Sequence, residues 1–205
     1  MTQTLVLGTK NKHKLEELQK LLSASKIKVF SLDHFPGCRE AKETGKTFEA
    51  NAKIKARLYS KHTGALTLAD DSGLMVNALN GRPGVYSARF AGPGCSYQDN
   101  NKKLLRLLAK TPVSRRVAKF VSVIAVYDNG KLVGIARGEC RGKISFEVKG
   151  NNGSGYDPVF IPEGLSKTYA ELSRQKKNSL SHRGKALRAA KRIVVEYLRL
   201  VDSRR

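Results

Sequence analysis

The spacing of apolar and polar positions predicts an α/β unit at the start of the chain. Residues 5–7 form a short apolar run typical of a buried strand, and a polar turn follows at 8–11. Beyond the turn, leucines recur on one helical face, at Leu15, Leu18, Leu21 and Leu22. A second strand is predicted around 27–31, beside the first. The order strand, turn, helix, strand is the opening of an α/β fold.

A second helix and strand are predicted between residues 47 and 76. Thr47 is a suitable helix cap, and apolar residues follow it at helical spacing, at Phe48, Ala52 and Tyr59. Residues 66–69 predict a short strand that ends at an acidic pair, and residues 74–76 predict a further edge segment. The acidic pair would then lie at the end of the first of these strands.

The second half of the chain predicts a helix at 99–110 and a hairpin. Strands at 117–127 and 131–139 flank an Asp-Asn-Gly turn, which is a strong hairpin signal. A last helix follows Ser181 and buries six residues: Ala186, Leu187, Ala190, Ile193, Val194 and Tyr197. No repeat or linker interrupts this pattern, so we expect one α/β domain with a mixed sheet and helices on its faces.

Composition excludes several protein classes. Of the 205 residues, 40% are hydrophobic, which is an ordinary globular share. No apolar run approaches the roughly 18–20 residues that cross a bilayer, and the chain start lacks a signal-peptide pattern. The three cysteines are far apart and include no CxxC pair, which argues against a structural zinc site. A cytoplasmic protein with reduced thiols is expected.

The net charge of +22 indicates attraction to polyanions. Nucleic acid and a nucleoside triphosphate both fit this charge, and so does a generically basic surface. The excess is spread along the chain, and no helix-turn-helix, RNA-recognition or zinc-finger pattern accompanies it. The sequence therefore does not favour nucleic acid as the partner.

Two segments in the first half carry candidate phosphate and metal chemistry. The turn 8–14 joins a strand to a helix, and such junctions offer free N–H groups to anions, although a plain solvated helix start looks much the same. Asp70 and Asp71 follow an apolar strand, where a carboxylate can hold Mg²⁺ or orient a water. Since neighbouring strand residues point to opposite faces, only one of the two acids would face a given site. A capped turn is the structural alternative.

Two segments in the second half carry candidate base-binding chemistry. The glycines in 153–158 permit close approach of a ligand, Tyr156 offers a ring for stacking, and Asp157 can accept from a purine edge. A glycine-rich turn is the alternative. Lys177, His182 and Arg183 gather around a helix start, where cations are unfavourable unless an anion or carbonyl binds there. No GxSxG or HExxH motif is present, which argues against covalent catalysis through His182.

Five stretches together resemble the Ham1-like inosine triphosphate pyrophosphatase family, also called dITP/XTP pyrophosphatases. They are GTKNKHKLEEL, ETGKTFEANAKIKA, ADDSGLMVNALNGRPGVYSARFAG, GSGYDPVFIP and TYAELSRQKKNSLSHRGKAL, in the family's order and across nearly the whole chain. The resemblance implies one domain over residues 1–205, with an elongated α/β fold: a long mixed sheet flanked by helices, and two lobes around a nucleotide cleft. It also implies a homodimer and Mg²⁺-dependent hydrolysis of ITP, dITP and XTP to the monophosphate and pyrophosphate.

The resemblance also implies roles for residues of this chain. Asp71 would be the general base and a metal ligand, with Glu43 as a second ligand. The other implied contacts are to the substrate, and they are Thr9, Lys10, Asn11, Lys12, His13, Lys14, Lys55, Ser72, Ser154, Gly155, Tyr156, Asp157, Lys177, His182 and Arg183. Asn11, Lys14 and Lys55 would contact phosphates, whereas His182 and Arg183 would lie near the purine.

Two positions depart from the family pattern. Lys42 stands where the family has the first acid of a pair, which leaves Glu43 as the remaining acid. Ser154 stands where many members carry an aromatic residue that stacks on the base. Two alternatives stay open. The protein could be an enzyme of the same fold that acts on pyrimidine triphosphates, or a non-enzymatic nucleic-acid-binding protein.

Overall fold

The computed structural model describes residues 3–23, 25 and 27–203, and its elements confirm an α/β fold. The strands are β1 (Gln3–Leu7), β2 (Ile27–Ser31), β3 (Leu66–Val76), β4 (Val117–Asp128), β5 (Lys131–Ile144) and β6 (Phe160–Pro162). The α-helices are α1 (Lys12–Leu22), α2 (Phe48–Thr63), α3 (Tyr97–Leu107), α4 (Arg174–Leu180) and α5 (His182–Asp202). Among the described residues, no helix is long and apolar enough to cross a membrane.

The strands form one mixed sheet in the order β2-β1-β3-β4-β5-β6. β1 is parallel to β2 and to β3, with Leu5 beside Val29 on one side and Leu66 on the other. β5 and β6 are antiparallel. The mixed sheet expected from the sequence is therefore confirmed, and β6 is a strand that the sequence pattern does not reveal.

The chain divides into two compact units. The first contains residues 1–71, 123–137 and 186–205, and the second contains residues 72–122 and 138–185. Four elements contribute residues to both units, namely β3, β4, β5 and α5. A single domain over residues 1–205 stays a prediction.

The elements of the first unit begin and end where their capping residues predict. Asn11 caps α1 by accepting from the Lys14 N–H, and Thr47 caps α2 by accepting from the Ala50 N–H. Gly64 ends α2 in the left-handed conformation, which suits a residue without a Cβ. The predicted helix faces are buried here, with Leu18 and Ala52 among the least exposed residues.

β3 is longer than the sequence predicts. It runs without a break from Leu66 to Val76, so Asp70 and Asp71 lie inside the strand instead of at its end. Nearly every residue of β3 is buried on both faces, and this burial overrides the local turn signal of the Asp-Ser-Gly sequence. The expected edge segment at 74–76 is the end of this same strand.

The second unit contains further corrections to the predicted elements. α3 begins earlier than expected because Ser96 and Asp99 form a capping box. The Asn129 and Gly130 backbones adopt positive φ, which confirms the hairpin turn between β4 and β5. β5 extends five residues further than predicted, to Ile144. α4 is an additional short helix, and Ser181 caps α5 by accepting from the Gly184 N–H.

Candidate active-site clusters

The turn after β1 is organised by its own polar side chains. Thr9 Oγ1 accepts from the Asn11 N–H at 3.2 Å, and Asn11 Oδ1 accepts from the Lys14 N–H at 3.3 Å. The Asn11 carboxamide is thus occupied as the helix cap of α1. Lys10 and Asn11 are exposed, and Thr9 is half-buried. The side chains of Lys12 and His13 lie outside the described residues.

The two neighbouring acids of β3 contact different lysines. Lys14 Nζ lies 3.0 and 3.1 Å from the two carboxylate oxygens of Asp70, which is buried. Asp71 contacts Lys55 instead, at 3.5 Å. This separation follows from the alternation of side chains along a strand. The prediction that only one acid of the pair faces a given group is consistent with these contacts.

Asp71 is the centre of a four-residue group that we call the Asp71 cluster: Glu43, Asn51, Lys55 and Asp71. Asn51 Nδ2 donates to Asp71 Oδ2 at 3.0 Å, and Lys55 Nζ donates to Glu43 Oε1 at 2.7 Å. Asn51 and Lys55 lie one helical turn apart on α2, so the same helix face carries both. The cluster therefore brings two carboxylates to one ammonium group.

Burial and neighbouring charges shift the protonation of this cluster. Burial, together with the nearby charges of Glu43 and Asp70, raises the pKa of the Asp71 carboxyl against the lowering by Lys55 and by the Asn51 hydrogen bond. Burial disfavours the Lys55 ammonium as well, but Asp71 and Glu43 more than offset it, so the pKa of Lys55 is also raised. Asp71 therefore binds a proton more readily than an ordinary aspartate, while Lys55 stays charged.

The glycine-rich loop of the second unit is fixed by a buried acid. Asp157 Oδ2 accepts from the Ser154 N–H at 2.6 Å and from Lys177 Nζ at 2.5 Å. We call Gly153, Ser154, Asp157 and Lys177 the Asp157 cluster. Gly153 has φ of +84°, and a Cβ there would lie 2.1 Å from Asp157 Oδ2, so only glycine fits. Burial raises the pKa of Asp157 against the lowering by Lys177.

Tyr156 is a core residue of the second unit. Its exposed fraction is 3%, and its hydroxyl donates to the Ser87 carbonyl at 2.9 Å. Burial raises the pKa of this hydroxyl. The interpretation of Tyr156 as a stacking surface for a base is therefore wrong, because the ring packs inside the protein. Ser154, in contrast, is exposed.

His182 and Arg183 lie half-buried at the start of α5. The His182 imidazole stacks on Phe120, with ring centroids 4.6 Å apart and an interplanar angle of 8°. Phe120 is itself buried in the second unit beside Phe160 and Tyr169. The stacked contact fixes the plane of the imidazole. Because the ring nitrogens form hydrogen bonds in that plane, their directions are fixed as well.

Three further residues hold the clusters or their neighbours in place, and no local sequence pattern identifies them. Asn51 holds Asp71, Asn101 Nδ2 donates to the Gly155 carbonyl at 2.9 Å, and Ser87 accepts from Tyr156 through its carbonyl. Their partners lie between 20 and 69 residues away along the chain. Helical spacing offers one hint, because Asn51 lies four residues before Lys55 on α2.

The described residues contain no group of three or more His, Cys, Asp or Glu side chains that could hold a metal ion. Glu43 and Asp71 nevertheless both contact Lys55 Nζ, so their oxygens converge on one positive charge. Mg²⁺ prefers oxygen ligands and is often held by one or two carboxylates together with substrate phosphates. The donor set of the Asp71 cluster therefore fits Mg²⁺.

Comparison with known proteins relates both sequence and fold to one family. The model described as the Ham1 family matches residues 5–193. A dITP/XTP pyrophosphatase of Desulforamulus reducens is 50% identical over 190 residues, covering 93% of this chain and 94% of the relative. A dITP/XTP pyrophosphatase of Bacillus cereus is 45% identical over 195 residues, covering 94% and 95%.

Solved structures agree with this relationship. A HAM1 protein from Coxiella burnetii superimposes with a TM-score of 0.89 at 41% identity, covering 95% of this chain and 99% of that one. A nucleoside-triphosphatase / dITP/XTP pyrophosphatase from Mycobacterium abscessus superimposes with a TM-score of 0.78 at 43% identity, covering 91% and 98%. Both similarities extend over nearly all of each chain.

Proposed function

Since this chain belongs to the Ham1 family, we propose that it hydrolyses non-standard purine nucleoside triphosphates, namely ITP, dITP and XTP, to the monophosphate and pyrophosphate. The observation that carries the proposal is the Asp71 cluster, in which a buried carboxylate is held by Asn51 beside Lys55 and Glu43. Such a group suits the attack of a water on a phosphorus atom, with pyrophosphate as the leaving group.

Asp71 is the proposed general base. It orients and deprotonates the attacking water, and the raised pKa of its carboxyl makes it a stronger base than an exposed aspartate. Lys55 stays charged beside it and offsets the negative charge that develops on the phosphoryl oxygens. No covalent intermediate is needed, because positioning and electrostatic stabilisation supply most of the catalysis in phosphoryl transfer.

Glu43 and Asp71 are the proposed Mg²⁺ ligands. Bound at these carboxylates, Mg²⁺ would supply positive charge to the phosphate oxygens. Lys42 does not act as a ligand, since an ammonium group has no lone pair to offer. The protein contribution to the metal site would then be two carboxylates, and substrate phosphates and waters would complete it.

The turn after β1 and Lys14 are the proposed phosphate contacts. Thr9 and the exposed Lys10 and Asn11 present polar groups at the start of α1, where the helix dipole favours an anion. Lys12 and His13 belong to the same motif and are proposed as substrate contacts on that ground. Lys14 pairs with Asp70 in the structure. Ser72 follows Asp71 on β3 and is proposed as a further substrate contact.

His182 and Arg183 are the proposed purine contacts. Hypoxanthine and xanthine carry a carbonyl at the 6-position, whereas adenine carries an amine there. A donor from His182 or Arg183 rewards the carbonyl and meets another donor in adenine, so ATP is rejected. Lys177, Ser154, Gly155 and Asp157 are further proposed substrate contacts of the second unit, where Asp157 fixes the loop and Lys177.

A homodimer in the cytoplasm completes the proposal. The homodimer rests on the family resemblance of the sequence alone, and the net charge of +22 is assigned to attraction of the triphosphate. A dedicated nucleic-acid site is not part of the proposal.

Pyrophosphate release from ITP, XTP, GTP, ATP and dUTP, measured with Mg²⁺, tests this function. Wild type and Asp71→Asn are compared side by side. Rapid release from ITP and XTP, absent in the variant, is the expected result. Release only from dUTP would indicate a pyrimidine enzyme of the same fold. No release from any triphosphate would contradict the proposal, and binding to DNA or RNA with a steep salt dependence would then be measured.

A further inference from the structure

Asn51 is a fully buried polar contact of Asp71. Its exposed fraction is 1%, and both ends of its carboxamide are engaged. Nδ2 donates to Asp71 Oδ2 at 3.0 Å, while Oδ1 accepts from the Gly45 N–H at 2.8 Å. Because a backbone N–H can only donate, the Gly45 contact fixes Oδ1 on its side and directs the NH₂ group to Asp71.

The chain at Gly45 packs closely against Asn51. A Cβ at Gly45 would lie 2.7 Å from the Asn51 Oδ1 and 2.7 Å from the Ala50 Cβ. Gly45 follows Glu43 by two residues, and Lys55 donates to Glu43 from the next turn of α2. The Asn51 carboxamide therefore connects the segment that carries Glu43 to the strand that carries Asp71.

We propose that Asn51 is a positioning residue for the reaction: it holds the Asp71 carboxylate in the orientation that the base and the metal ligand require, and it fixes Asp71 relative to Glu43. This inference rests on the proposed function, but its geometry concerns residues of the first unit alone. Partners that orient a ligand or base in this way typically change metal affinity or activity by 10- to 100-fold when they are removed.

Two substitutions separate the two ends of the carboxamide. Asn51→Asp keeps the size and the acceptor for the Gly45 N–H, but it loses the donor to Asp71. Asn51→Leu keeps a similar volume and loses both contacts. Lys53→Gln is the matched control on the same helix, because Lys53 is exposed and pairs with Glu49 one turn earlier.

Steady-state kinetics with ITP is the first readout. At saturating Mg²⁺, we expect kcat to fall roughly 10- to 100-fold in both Asn51 variants. KM should stay within about threefold of wild type, because with the metal site filled substrate binding does not depend on the orientation of the base. Lys53→Gln should leave both constants unchanged. A folded Asn51→Asp variant with wild-type kcat, or with a raised KM and unchanged kcat, would overturn the proposal.

Stabilisation by Mg²⁺ alone is the second readout, and it does not depend on catalysis. Thermal unfolding is followed across a Mg²⁺ titration for wild type, Asn51→Leu and Lys53→Gln. We expect the half-saturating Mg²⁺ concentration to rise about tenfold or more in Asn51→Leu only. An unchanged concentration would contradict the positioning role even if the wild type released no pyrophosphate, so the two failures stay distinguishable. If Asn51→Leu does not fold, the kinetics of Asn51→Asp decide.

Discussion

The Asp71 cluster and the Asp157 cluster both place a buried aspartate beside a lysine, but they hold the pair differently. Lys177 Nζ lies 2.5 Å from Asp157, and the same oxygen also accepts from the Ser154 N–H. Lys55 Nζ lies 3.5 Å from Asp71 and donates to Glu43 at the shorter distance of 2.7 Å. The side-chain exposures of the two aspartates also differ, 11% for Asp71 and 4% for Asp157.

This difference indicates two uses of the same residue types. A carboxylate closely matched with an ammonium and a backbone N–H stabilises a loop, since leaving either group unpaired inside the protein is costly. A carboxylate held by an amide, with its lysine shared with a second acid, keeps the orientation that chemistry needs. The predictions below test whether Asp71 serves reactivity and Asp157 serves structure.

The largest expected effect is the loss of kcat in Asp71→Asn. Removing a positioned base should lower kcat for ITP by roughly 1,000-fold, within the usual contribution of acid–base groups. Asp157→Asn should lower kcat by less than about tenfold and should act mainly on KM, because it loosens the loop without touching the base. Equal losses of kcat in the two variants would remove the distinction between the clusters.

Arg183→Ala should reduce the discrimination between ITP and ATP. Loss of one charged donor to the 6-carbonyl corresponds to about 2 kcal/mol, so the ratio of kcat/KM values should fall roughly 30-fold. The ratio is obtained from pyrophosphate release with each nucleotide in the same preparation. Full discrimination in the variant would assign recognition of the carbonyl to another residue.

Lys177→Met should cost more stability than Lys55→Met. Removing Lys177 leaves Asp157 buried without its countercharge, which should lower the free energy of unfolding by about 3 kcal/mol. Lys55→Met should lower the free energy of unfolding by about 1 kcal/mol less than Lys177→Met does, because Glu43 keeps 30% of its side chain exposed to water. Urea unfolding of the two variants gives both values, and the reverse order would argue against a structural role for the Asp157 cluster.

The smallest expected effect is the change in stability on replacing Asp99 in the capping box of α3. Its exposed carboxylate serves as a comparison for the two buried aspartates. The pKa of Asp99 is lowered in the folded protein by its hydrogen bonds with Ser96. A lowered pKa stabilises the fold above the unfolded value of 3.8, and this contribution disappears as the pH falls through the folded pKa. Asp99→Asn should therefore be slightly less stable than wild type at pH 7, and the difference should vanish in strong acid. If wild type and Asp99→Asn differ in stability by the same amount at pH 7 and in strong acid, the difference does not arise from the lowered pKa of Asp99.

The sequence predicts those parts of the fold whose signals are local. The β1 strand, the Thr47 cap and the hairpin at Asn129-Gly130 each depend on residues within one turn or strand, and the structure confirms all three. β3 is different, because its course through Asp70 and Asp71 is decided by neighbours on both faces of the sheet. A pattern along one segment contains no information about such burial.

The same division applies to the candidate sites. The acidic pair, the glycine loop and the cations near α5 are short motifs, and the sequence identifies them. The sequence does not identify Asn51 and Asn101 as site residues. An asparagine at a helical position is ordinarily solvated, and the partners of these two lie far along the chain. The Tyr156 ring shows the opposite error: a residue in a recognisable motif belongs to the core.

The position of Asp71 inside the sheet has a consequence for its dynamics. β3 lies between β1 and β4, and its residues are nearly all buried. Amide hydrogens on such interior strands exchange with solvent only through large openings of the protein, whereas loops and helix ends exchange through small local ones. The amides of Asp70 and Asp71 should thus acquire deuterium more slowly than those of the exposed residues 151–154. Local fluctuations of the loop would then leave Asp71, the proposed general base, in place.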